Sequence, residues 1–110
     1  MTVERLISLG QRAGKLASGA FAVKSNLNRG KARLLLIAND TATQSFQELS
    51  GLAAARGVPV LYYGSKDDLG RLIGKSPRTA LAITDEHMAK GILEAFERGE
   101  ANRTEQKTWR

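Results

Sequence analysis

The run Gly70-Arg71-Leu72-Ile73-Gly74-Lys75-Ser76 nearly spells a phosphate-binding loop of nucleotide hydrolases. That loop needs four residues between its glycines, and its Gly-Lys-Ser must open a helix after a strand. Here three residues separate the glycines, and the context is inverted. Lys66 to Ile73 carries a helical pattern, Gly74 is placed to cap its end, and Pro77 stands before the next apolar run. A helix C-terminus presents carbonyl oxygens, which repel phosphate. Lys75, Ser76 and Arg78 are therefore expected on an exposed loop rather than around a nucleotide.

A second cluster, Arg12-Ala13-Gly14-Lys15-Leu16-Ala17-Ser18-Gly19-Ala20-Phe21-Ala22-Val23-Lys24, puts Gly19 at the entrance to a helix. Backbone N–H groups at a helix start suit phosphates or the acceptor edges of bases, with Lys15 and Lys24 nearby. Equally, Ser18 can cap that helix while Gly19 only relieves crowding.

Catalytic groups are scarce. His87 is the sole histidine and there is no cysteine, so a two-imidazole metal site, a thiolate metal site and a disulfide are all excluded. His87 falls in the first turn of a helix, where a surface position is expected. The adjacent acids Asp67-Asp68 and Asp85-Glu86 sit at helix starts, which the helix dipole explains. Asn39-Asp40-Thr41 follows a strand, a frequent place for ligand groups, but its residues also have turn and capping chemistry. No active site is assembled, and no enzyme, cofactor, metal or small-molecule substrate is expected.

Three apolar runs can be strands: Leu34 to Ala38, Val60 to Tyr63 and Thr79 to Ile83. The first is uninterrupted, as in a sheet covered on both faces. Val3, Leu6, Ile7, Gly10 and Ala13 recur at helical spacing after Thr2 as N-cap. Phe46, Leu49, Leu52 and Ala53 do the same before Gly57, and so do Met88, Ile92, Leu93 and Phe96 between Thr84 as cap and Gly99. A short extended piece at Lys15-Leu16-Ala17-Ser18 and a helix from Ala20 to Asn28 complete the order. This alternation predicts an α/β fold, a three-layer α/β/α sandwich around a small mixed sheet of about four strands. Residues 1–99 form one domain, and the tail 100–110, which lacks an apolar face, is expected to be disordered.

The 110 residues carry a net charge of +6. Residues 1–38 hold seven bases (Arg5, Arg12, Lys15, Lys24, Arg29, Lys31, Arg33) against Glu4. Residues 65–78 hold Lys66, Arg71, Lys75 and Arg78 against Asp67 and Asp68. The rest is close to neutral, the pattern expected of a nucleic-acid-binding face. The start has no signal-peptide form and no apolar run is long enough for a bilayer, so a cytoplasmic protein without membrane contact is expected.

Several landmarks together resemble the ribosomal L-seven-Ae family of kink-turn RNA binders. They are Leu34-Leu35-Leu36-Ile37-Ala38-Asn39-Asp40, Gly57-Val58-Pro59-Val60, Ser65-Lys66-Asp67-Asp68-Leu69-Gly70-Arg71 and Gly74-Lys75. The wording Leu9-Gly10-Gln11-Arg12-Ala13-Gly14-Lys15-Leu16-Ala17-Ser18-Gly19 is similar to the bacterial branch called YlxQ. The resemblance implies a non-enzymatic α/β/α sandwich that binds structured RNA, with ribosomal RNA or the ribosome among its partners. It makes Gly19 the glycine that opens the RNA-reading helix, followed by Ala20 and Phe21. It also makes Gly74, Lys75, Ser76 and Arg78 part of a loop over extruded nucleotides, with Lys66 a basic position nearby. Where kink-turn binders carry Asn and Glu to read tandem sheared G·A pairs, this chain has Phe21 and Ala22. Where they carry Lys, it has Ser25, with Lys24 one place earlier. A protein-interaction module on the same scaffold, associated with the ribosome, is the alternative.

Overall fold

The computed structural model describes residues 1–99 and 107–109. Helix α1 (Val3–Arg12) starts where the Thr2 hydroxyl accepts the Arg5 N–H. It is followed by β1 (Leu16–Ser18) and α2 (Ala20–Asn28). Three further strand–helix pairs come next: β2 (Leu34–Ile37) with α3 (Thr43–Ala55), β3 (Val60–Tyr62) with α4 (Lys66–Leu72), and β4 (Ala80–Ile83) with α5 (Glu86–Glu97). A last strand, β5, spans Lys107–Trp109. Among the described residues no helix is long and apolar enough to cross a membrane.

The strands form one mixed sheet in the order β1-β4-β2-β3-β5. β2 and β3 are parallel, as expected of strands joined through a helix. β4 lies between β1 and β2 and runs antiparallel to both. The expectation of a mixed sheet holds, with one strand beyond the four. That strand arises in the tail expected to lack order: Lys107–Trp109 pair antiparallel with Val60–Tyr62 on the open edge of β3. Thr108 and Trp109 are residue types that favour extended backbone, and β3 otherwise offers an unpaired edge. The remainder of the tail lies outside the described residues.

The burial of β2 shows why its sequence is unbroken. Leu34 and Leu36 pack with Val3 and Ile7 of α1, Leu69 of α4 and Ile92 of α5. Leu35 and Ile37 point the other way, to Val23 and Leu27 of α2 and Leu49 and Ala53 of α3. The period-two alternation of a strand thus feeds two cores, and both faces are covered. Burying each such leucine contributes about 1.5–3 kcal/mol. On β4 the residues toward α2 are Ala80 and Ala82, and those toward α1 and α5 are Leu81 and Ile83. Small residues on one face let α2 lie close over β4, which places its first turn beside the start of that strand.

One cap differs from expectation, and at another the structure chooses between two open readings. Helix α5 is capped by Asp85, whose carboxylate accepts the Met88 N–H, and not by Thr84. The Thr84 N–H donates to the Lys15 carbonyl, so the chain is still extended there. Helix α2 has no side-chain cap, because its N-cap is Gly19 at φ 91° and ψ 153°.

Candidate functional site

Strand polarity decides which loops meet. The C-terminal ends of β1, β2 and β3 and the N-terminal end of β4 share one edge of the molecule, the usual location of ligand sites in open α/β sheets. Hydrogen bonds tie the loops there together. Gly19 N–H donates to the Ala80 carbonyl (3.3 Å), Ala38 N–H to that of Thr79 (2.9 Å), and Arg78 N–H to that of Lys66 (3.0 Å). The Asp40 carboxylate accepts the Lys66 N–H at 2.9 Å, and the Thr41 hydroxyl donates to the Thr79 carbonyl at 3.4 Å. Asp40 is thus the turn-and-cap residue expected, but it serves the start of α4 and not that of α3.

The start of α2 is open. Its first backbone bond runs from the Val23 N–H to the Gly19 carbonyl at 2.9 Å. The N–H groups of Ala20, Phe21 and Ala22 have no acceptor among the described residues, and the first turn contains no acid. Ser18, the alternative cap, is turned to another use: its Oγ accepts the Arg78 Nε–H at 3.3 Å. Phe21 stands out at 87% exposure, with Ala20 beside it also exposed.

Opposite this helix start lies the loop 74–78. Its fold depends on Gly70 within α4, where a Cβ would meet the Ser76 carbonyl oxygen at 2.2 Å and that of Lys75 at 2.8 Å. The loop backbone therefore lies directly on the helix. Lys75 N–H donates to the Gly70 carbonyl at 2.8 Å, and Gly74 takes the left-handed conformation at φ 72°. Arg78 braces the loop from within. Its Nη1 donates to the Ser76 hydroxyl (2.8 Å) and to the carbonyls of Ser76 (3.2 Å) and Pro77 (3.3 Å), while Nε holds Ser18. A guanidinium spread over four acceptors is a positioning group. It fixes the loop against the residue that precedes Gly19.

The expected site residues separate accordingly. Gly19, Ala20, Phe21, Lys24, Lys66, Gly74, Lys75, Ser76 and Arg78 lie at or next to this edge. Lys24 reaches across to α3 and pairs with Glu48 at 2.8 Å. Lys66 stands at the first turn of α4, and Lys75 is exposed. Lys15 is not brought to the same place. It precedes β1 at the opposite edge and pairs with Asp85 at 3.7 Å. Local sequence proximity to Gly19 misled here, because three residues of extended chain carry Lys15 away from it.

The acids near α4 are accounted for by capping. Ser65 and Asp68 form a reciprocal box, each side chain accepting the other's backbone N–H at 3.0 Å. The Ser65 N–H, with Arg71 beside it, holds the Asp68 carboxyl below its ordinary value. Asp85 is lowered in the same way by the Met88 N–H, then by Lys15. Among the described residues no group of His, Asp and Glu could hold a metal ion. Sequence reasoning missed Ser18 and Gly70 as parts of this edge. Gly70 had left a signal, since a glycine inside a helical pattern marks a close approach.

Comparisons with known proteins match this architecture. The model of the Ribosomal protein L7Ae/L30e/S12e/Gadd45 family covers residues 1–93. The chain is 30% identical over 88 residues to an RNA-binding protein YlxQ of Bacillus subtilis, covering 80% of this chain and 88% of that protein. It is 30% identical over 97 residues to a large ribosomal subunit protein eL8 of Thermoplasma acidophilum, covering 84% of this chain and 80% of that one. Among solved structures, a 15.5kD RNA binding protein of Giardia lamblia superimposes with a TM-score of 0.72 at 28% identity. That match covers 86% of this chain and 82% of that one. A Bacillus halodurans protein of unknown function shares the fold, with a TM-score of 0.82 at 23% identity, covering 86% of this chain and 96% of that one. With the family model matched over residues 1–93 and the sandwich of that family on view, the chain belongs to the Ribosomal protein L7Ae/L30e/S12e/Gadd45 family.

Proposed function

We propose that this protein is a non-enzymatic, cytoplasmic RNA-binding protein of ribosomal-protein type that grips bent or irregular RNA at the edge formed by α2 and the loop 74–78. The observation that carries this reading is the meeting of two elements: a helix start with three unclaimed N–H donors and no acid, and a basic loop already braced by Arg78. Donors on the helix suit phosphate or base-edge oxygens, and Lys24, Lys66 and Lys75 supply charge. The names of the YlxQ relative and of the Giardia structure support RNA as the ligand, and that of the eL8 relative supports ribosomal RNA among the candidates. Structured RNA is read through backbone shape and unstacked bases, which an open helix start beside a braced basic loop suits. The chain has Phe21 and Ala22 where side chains would have to pair with sheared G·A edges, so shape and extruded nucleotides are the features it reads.

Binding measured against salt tests this. Lys24→Gln with Lys75→Gln should weaken binding to a kink-turn RNA and flatten the salt dependence by about two units of slope. Glutamine avoids setting a new carboxylate against Glu48. A kink-turn RNA should also be preferred over a straight duplex. Equal affinity for both RNAs would remove shape reading. An unchanged double variant would remove this face and favour a protein-interaction module, in which the exposed Phe21 contacts a protein.

A further inference from the structure

Of the seven bases of residues 1–38, Lys24 lies within α2, one turn beyond its open start, and pairs with Glu48. Five of the others, Arg12, Lys15, Arg29, Lys31 and Arg33, gather at the opposite edge of the sheet. Register places them there: Thr84 N–H bonds to the Lys15 carbonyl at 2.9 Å and Arg33 N–H to the Ile83 carbonyl at 2.7 Å, both at the far end of β4. All five are exposed. Against them stand Asp85 and Glu86 at the start of α5, Asp85 being taken by Lys15.

The two loops of this edge share one construction. After α1, Gly14 at φ 71° precedes Lys15, whose N–H closes on the Gly10 carbonyl at 2.8 Å. After α2, Gly30 at φ 71° precedes Lys31, whose N–H closes on the Asn26 carbonyl at 2.9 Å. Gly74 and Lys75 after α4 repeat it at the first edge. A base near a helix C-terminus is ordinarily explained by the dipole. Here the terminal carbonyls are met by backbone N–H groups, and the cap does not require lysine: after α3 the same bond is made by Val58 to the Ala53 carbonyl at 2.9 Å. Lys31 and Arg33 also lie beyond their helix.

We propose that this second edge, formed by Arg12, Lys15, Arg29, Lys31 and Arg33, is a separate binding surface for the phosphate backbone of RNA, so that one molecule bridges two RNA segments. The second surface goes beyond the proposed function and stands without it; the bridging rests on that reading, since it needs RNA at the first edge as well. The ligand class follows from charge and form: exposed guanidinium and ammonium groups on two short loops, with no apolar residue needed between them. Arg29 and Arg33 are steadied by the Ser25 hydroxyl (3.5 Å) and the Gly30 carbonyl (3.3 Å), which leaves further guanidinium donors for phosphate oxygens.

The test uses the full chain and a straight RNA duplex too short to reach both edges. Native mass spectrometry at low salt should show one protein carrying two duplexes. Arg29→Gln, Lys31→Gln and Arg33→Gln together should reduce this to one and lower the salt slope by about two to three units. These exposed side chains leave the fold intact, which a thermal melt verifies, and Lys31→Gln alone gives a smaller shift in the same sense. The triple variant should keep any preference for bent RNA, whereas the Lys24 and Lys75 variant should keep the second duplex. Failure of this proposal and of the proposed function are thus told apart. A single duplex that the triple variant keeps, or a triple variant with the original slope, overturns the second surface. A single duplex that the triple variant loses supports that surface and overturns the first edge. Loss of binding to anionic lipid vesicles in the triple variant with duplex binding unaffected also overturns the second surface.

Discussion

At Gly70 the α4 backbone and the loop 74–78 touch with no room for a methyl group. Gly70→Ala should push the loop away from the helix and cost about 1–3 kcal/mol, read in a urea melt. It should also weaken RNA binding beyond what a stability-matched core variant loses, because the Arg78 brace needs the loop in place. Unchanged affinity in a folded Gly70→Ala protein would deny the loop a role. Phe21 makes the complementary case, a large apolar side chain that stands exposed in the first turn of the open helix. If its ring stacks on an extruded base, Phe21→Ala should lose about 1–3 kcal/mol of affinity for RNA with an unpaired nucleotide. Affinity for straight duplex should stay as it was, and fluorescence titration against both RNAs decides between these outcomes. At this scale the sequence was only partly legible. Gly19 could be read as a helix opener from its neighbours, but the partnership of Ser18 with Arg78 joins residues 60 positions apart, and no local pattern announces it.

The helices carry their own acid sensitivity. Asp68 closes the capping box of α4 and Asp85 caps α5, each held below the ordinary aspartate value of 3.8 by backbone N–H groups before any ion pair. A carboxylate with a lowered folded pKa contributes stability that is complete above the unfolded value and lost as pH falls through the lower, folded one. The denaturation midpoint should therefore hold from neutral pH down to about pH 4 and fall below it. Asp68→Asn and Asp85→Asn should each lower stability at neutral pH and shrink that acid-side loss; an undiminished loss in the double variant would show that other groups set it. Element existence was legible because β2 is apolar without interruption and α1, α3 and α5 carry helical stripes. Element ends were less so: Thr84 and Asp85 are both good caps, and the bond from Thr84 to Lys15, with the Met88 N–H given to Asp85, decides between them. β5 escaped because its partner is an edge strand, and pairing to an edge needs few apolar residues.

Over the whole molecule, the sign of the charge was legible and its distribution was not. Counting along the chain merges the bases of residues 1–38 into one group. The fold divides that group between two edges, since α1 and α2 both end where β1 and β2 begin. A chain folded into layers sends sequence neighbours to opposite sides whenever a strand or helix lies between them, as it does between Lys15 and Gly19 or between Lys24 and Arg29. Composition therefore gives the sign of the charge a partner must carry and not where on the fold that partner would be met.

β4 connects the two edges directly, with Arg78 and Thr79 at one end and Thr84 at the other. Its residues Ala80 to Ile83 are all fully buried and hydrogen-bonded on both sides to β1 and β2. Such a strand can neither stretch nor shorten, and four residues span about 13 Å. If both edges hold RNA, β4 acts as a ruler: the gap between the two RNA segments is a property of strand length, fixed before any RNA arrives.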